Sequence, residues 1–268
     1  MSYLVTRPAR AASAAAFRRE LAALRLNRFL HVHVGLAGIA GLLPLFTPGD
    51  VVASAPWWVL QAFLYCLSLS ALLLGLSSAH GETEEFPLLF AQPAPRWAWL
   101  SGKAAGLALL VVPAAALLVA PAGILGGMTV TLALVAIATA GVSLALATCG
   151  LAVGFWVRDP VRGLLATLGA WFALLFGTDL VLLALAGSPA IHTFPAVWVV
   201  PLMLNPLDAL RVTVIFTMED TATAGGLAGG LPAWWLAHGT AWLGGLLLAW
   251  TGGAFVAGLA GARRRIDA

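Results

Sequence analysis

The sequence predicts an all-α integral membrane protein: six transmembrane helices, an N-terminal amphipathic helix on the cytoplasmic face, and re-entrant helices on the extracytoplasmic face between the fifth and sixth spans. Three observations predict this. Of 268 residues, 61% are hydrophobic and only 9% charged, with a mean hydropathy of +0.97; soluble domains run near about 45–50% apolar and about 25% charged. Apolar runs recur at roughly 20 residues, the length that carries a helix across about 30 Å of hydrocarbon. Nearly all the cations fall between those runs on one side. No polar segment is long enough to bury a core of its own, so residues 1–268 read as a single transmembrane domain.

The first element, Ala11 to Arg28, is expected to be a helix, because Ala14, Phe17, Leu21 and Leu24 recur at three to four residues. Arg18, Arg19, Arg25 and Arg28 lie off that stripe. Such a helix would lie along the interface with its arginines among anionic headgroups, although a simple polybasic topology signal accounts for the same charges. The N-terminus carries no short apolar core followed by a small-residue cleavage site, so the first span is expected to be retained.

The spans are placed at 29–47, 57–79, 104–126, 128–157, 164–186 and 233–258. Gly35, Gly38 and Gly41 on the first span, with Gly141xxxAla145 and Gly150xxxGly154 on the fourth, predict close helix packing within a bundle or dimer. Cys66 and Cys149 lie inside apolar runs and read as small hydrophobes.

Six spans put both termini on one side with 80–103 and 158–163; 48–56, the Gly126-Gly127 turn and 187–232 face the other. Arg7, Arg10, Arg18, Arg19, Arg25, Arg28, Arg96, Lys103, Arg158, Arg162 and Arg263 to Arg265 all fall on the first side. Only Arg211 lies opposite. The positive-inside rule therefore assigns the termini to the cytoplasm, and ordinary insertion puts the chain in a bacterial inner membrane.

The inner loop is chemically dense, with Glu82, Glu84 and Glu85 followed by Phe86, Leu88, Leu89 and Phe90 and then by Arg96 and Lys103. Carboxylates contribute little to topology. Here they are suited to accept charge-assisted hydrogen bonds from a partner while the apolar residues fill a pocket. Glu82, Glu84, Glu85, Phe86, Leu89, Phe90 and Arg96 are the expected docking set, and Arg96 to Lys103 the expected anchor of the third span at the inner headgroups.

Asp179 is the one carboxylate well inside a span, where a charge costs about 2.5–3.5 kcal/mol on insertion scales. It is expected to line a substrate path or gate paired with Arg211, or to make a structural hydrogen bond with Thr178 or a neighbouring helix. Beyond it, Ala196–Leu204 and Leu207–Met218 read as two short amphipathic helices broken at Asn205-Pro206, followed by the Thr221–Gly230 stretch. Pro201, Asn205, Pro206, Asp208 and Arg211 argue against a seventh span there, and the pair is expected to dip into the outer leaflet.

Self-contained chemistry is not expected. The only Gly-Lys pair, Gly102-Lys103, lacks the rest of a phosphate loop, and neither an HExxH nor a GxSxG pattern occurs. His31, His33, His80, His192 and His238 fall at depths that do not match for axial haem ligation. Met203, Met218 and His192 are weighed as copper ligands and read as ordinary packing residues. No catalytic residue, metal site or bound cofactor is expected.

Three patches carry a resemblance: Gly81-Glu82 with Glu85, Pro95-Arg96 and Gly102-Lys103; Asp179 through Leu185; and Leu204-Asn205-Pro206-Leu207-Asp208 with Arg211. With the architecture, they resemble the permease of an ABC-2-type ABC transporter, type V exporter-like, and within that family the NosY-type permeases of nitrous oxide reductase maturation. Pro87, Pro93 and the long extension ahead of Phe17 depart from the pattern. The resemblance implies a homodimer, two copies of a separate cytoplasmic ATPase that holds ATP and magnesium, a periplasmic accessory protein, and a role in copper or sulfur supply. It implies no nucleic-acid partner. The alternatives are a non-transporting mechanical scaffold for a periplasmic chaperone, an exporter of a lipid- or drug-like substrate, and a proton-coupled carrier using Asp179.

Overall fold

A computed structural model describes residues 3–46, 51–82, 95–185, 196–222 and 230–267. The described residues are helical, without strands, and contain six helices long and apolar enough to cross a membrane. Their bounds, Arg28–Phe46, Ser54–His80, Arg96–Gly126, Val130–Trp156, Pro160–Ala184 and Ala233–Arg264, fall on the six expected spans.

Helix α1 (Tyr3–Leu24) precedes α2 (Arg28–Leu42), which starts where the Asn27 side chain accepts from Phe29 N at 2.8 Å. Such a cap satisfies one of the orphan donors of a first turn. The Asn27 amide also donates to Ser77 Oγ at 2.9 Å, tying the α1–α2 junction to the second span.

The second span joins α3 (Val51–Ala62) to α4 (Ser68–His80) through a π-helical turn at Phe63–Leu67. Inserting a residue into a helix leaves backbone groups misaligned. Ser68 Oγ compensates by donating to Leu64 O, while receiving Trp171 Nε1 at 2.9 Å.

The third span, α5 (Arg96–Gly126), and the fourth, α6 (Val130–Trp156), are joined at Gly127, whose φ of +82° needs glycine. Thr129 caps α6 by accepting from Leu132 N at 3.1 Å. The remaining elements are α7 (Pro160–Leu185), α8 (Ala196–Leu204), α9 (Pro206–Ala222) and α10 (Gly230–Asp267).

The core centres on α6, which packs most extensively against α4 and α10 and also against α5. The α4–α6 crossing depends on glycine. A Cβ on Gly75 would stand 1.9 Å from Ala147 O, one on Gly150 1.9 Å from Leu72 O, and one on Gly154 2.5 Å from the Ala79 Cβ. Gly150xxxGly154 therefore packs helices within the bundle, as its spacing suggests. Gly141 meets Leu247 of α10; of the first-span glycines only Gly41 meets backbone, at Leu118 O, and Gly35 meets nothing.

Two expectations are corrected. The third span begins at Arg96, eight residues before the expected 104, so Arg96 and Lys103 belong to α5 rather than to a loop. The buried face of α1 is Ala9, Ala16, Glu20 and Leu24; Ala14 is exposed, and Phe17 and Leu21 are half-buried. The stripe is turned because α1 sits on glycines of α5: a Cβ on Gly102 would stand 2.1 Å from Ser13 O, and one on Gly106 2.8 Å from Glu20 Cγ. Large side chains do not fit that seat.

Candidate functional site

Two polar clusters sit inside this apolar bundle. The first gathers at the charged end, where α1, the end of α4 and the start of α5 meet. Gly102 and Gly106 draw α1 close, and Lys103 lies between them on the same helix, so its side chain is covered by α1 and is 1% exposed.

A lysine buried this deeply needs partners. Lys103 Nζ donates to Glu20 Oε2 and stands 3.2 Å from Glu82 Oε2. Glu20 Oε1 in turn accepts from Ser78 Oγ at 2.5 Å, and Glu82 Oε1 is 3.5 Å from Arg19 Nε. Lys103 also lies 5.9 Å from the centre of the Trp99 ring. Burial pushes the Glu82 carboxyl above its ordinary value against the opposing pull of Lys103.

Lys103 is therefore enclosed by the protein rather than exposed, as an anchor reaching lipid headgroups would be. Glu82 faces inward as well, its side chain 6% exposed, so its carboxylate is occupied within the protein. Arg96, half-buried, opens α5. Glu84, Glu85, Phe86, Leu88, Leu89 and Phe90 lie outside the described residues.

The second cluster is built by the run Asn205-Pro206-Leu207-Asp208. Asn205 Oδ1 accepts from Leu207 N at 3.0 Å, and Pro206 occupies the first helical position, where no N–H is needed. Asp208 follows in the first turn, where a negative charge complements the helix dipole. The Asn205 amide donates to Asp208 Oδ2 at 2.7 Å and to Leu174 O at 2.5 Å.

Arg211, one turn on, reaches Asp179 Oδ2 at 3.1 Å and Asp208 Oδ1 at 3.7 Å. The Asp179–Arg211 pairing expected from the sequence is present. One guanidinium thus serves two carboxylates, and they differ in setting: Asp179 is 54% exposed and Asp208 is buried.

Depth distinguishes this cluster from a surface loop. Leu174 lies near the middle of α7, and Trp250, near the middle of α10, donates to Leu204 O at 3.0 Å. Trp242 donates to Met203 O at 2.9 Å. The junction between α8 and α9 is thus held between two spanning helices, in contact with the middle of each. The break at Asn205-Pro206 falls where the sequence places it, and α9 runs on to Ala222.

Sequence reasoning did not single out Glu20 as a functional residue, nor Lys103 as an interior one. The signals were present. Glu20 is the sole acid among the α1 arginines and shares a face with Ala16 and Leu24; Lys103 lies within Gly102xxxGly106.

The other singled-out residues have local roles. Ser70 Oγ gives its proton to Leu67 O, so His33 Nδ1 donates to Ser70 at 2.7 Å. His31 Nδ1 pairs with Asn27 O and His80 Nε2 with Val157 O, while His238 stacks on Trp234. Met203 and Met218 pack against the core, and His192 lies outside the described residues. Among the described residues, no group of three or more His, Cys, Asp or Glu side chains could hold a metal ion.

No family model and no curated protein matches this sequence.

Proposed function

We propose that this chain is the membrane-spanning subunit of an ABC-2-type ABC transporter, seated in a bacterial inner membrane with cytoplasmic termini. It passes the ATP-driven motion of a separate cytoplasmic ATPase, two copies on a homodimer, to the opposite side of the bilayer. The observation that carries this reading is the rooting of the acidic loop. Glu82, its first acid, is tied into a buried ion cluster with α1 and α5 rather than left on a free linker. A loop held this way transmits a push into the bundle. From there, the glycine-packed α4–α6 pair and the helices around α6 reach the Asn205–Asp208 junction.

In this reading, α8 and α9 are the re-entrant helices of a type V exporter-like fold, and Asp179, Asn205, Pro206, Asp208 and Arg211 form the outer gate segment. The narrower role, with a periplasmic accessory protein in nitrous oxide reductase maturation, rests on the likeness of the Asn-Pro-x-Asp-x-x-Arg patch to NosY-type permeases. The test is co-expression with an ATPase encoded beside this chain. Glu85→Ala with Phe90→Asp should abolish its co-purification or uncouple its turnover. Unchanged co-purification and turnover would reduce the loop to a linker and remove the proposal.

A further inference from the structure

We draw no further inference here: the strongest candidate, the groove of about 830 Å3 between α7 and α10 lined by Leu72, Cys149, Ala173, Leu204, Trp250 and Gly253, is an almost wholly apolar face, and nothing in the structure shows what covers it.

Discussion

Lys103 Nζ donates to Glu20 Oε2 across 83 residues of sequence, joining the first helix to the third span inside the protein. Each side chain is at most 2% exposed, so both charges are removed from water and each depends on the other. A buried pair of this kind is weak as a source of stability but costly to break from one side.

Lys103→Met should therefore destabilise the protein by about 3–5 kcal/mol, because Glu20 and Glu82 are left buried without their cation. The combined substitution Lys103→Met, Glu20→Leu and Glu82→Gln removes the stranded charges and should recover most of that loss. Thermal unfolding in detergent checks the pair of results. Equal losses in the single and combined variants would show that packing, not charge, is responsible.

Glycine contacts yield a second prediction with an internal control. Gly75→Ala or Gly150→Ala places a Cβ 1.9 Å from a backbone oxygen, so α4 and α6 must separate and the folded yield should collapse. Gly169→Ala and Gly244→Ala meet nothing within 4 Å and should be neutral or stabilising by up to about 1 kcal/mol, the difference in helix propensity. Fluorescence-detected gel filtration after heating ranks all four.

The contrast among those glycines shows what could be read in advance. Span number and position, and the break at Asn205-Pro206, follow from length, hydropathy and proline, which act locally. Gly150xxxGly154 was legible as a packing motif, but its partner Gly75 was not, since no spacing on one helix names the helix opposite. The seat of α1 was missed for a related reason. An amphipathic stripe is read by seeking large apolar residues, whereas a surface made by Gly102 and Gly106 selects Ala16 and Glu20 and turns Phe17 aside. Lys103 looked like an anchor because a cation at a span end usually is one; only the proximity of Glu20 makes it an interior group.

In the second cluster, the two carboxylates sharing Arg211 should respond unequally. Asp179 is half-exposed, so Asp179→Asn should change stability by only about 0–1 kcal/mol. Arg211→Gln leaves buried Asp208 without its cation and should cost about 3 kcal/mol. Chemical unfolding of both variants decides the matter. A larger loss for Asp179→Asn would make Asp179, rather than Asp208, the residue that holds α9 against α7.

Glu82 gives the charged end a pH dependence whose sign can be worked out. Burial raises its folded-state pKa above the ordinary 4.5, with Lys103 acting in the opposite direction. Between those two values the folded protein holds a proton that the unfolded chain has released. Stability rises with pH only where the unfolded state binds more protons, so here it must fall. This contribution is fully present below the unfolded value and is lost as pH rises through the raised one. Glu82→Gln removes the titrating group, so it should flatten the slope of melting temperature against pH immediately above 4.5 while leaving the slopes elsewhere unchanged. The natural sequence in the same detergent provides the baseline, and an identical slope in both proteins would mean that the Lys103 ion pair, not burial, governs this carboxylate.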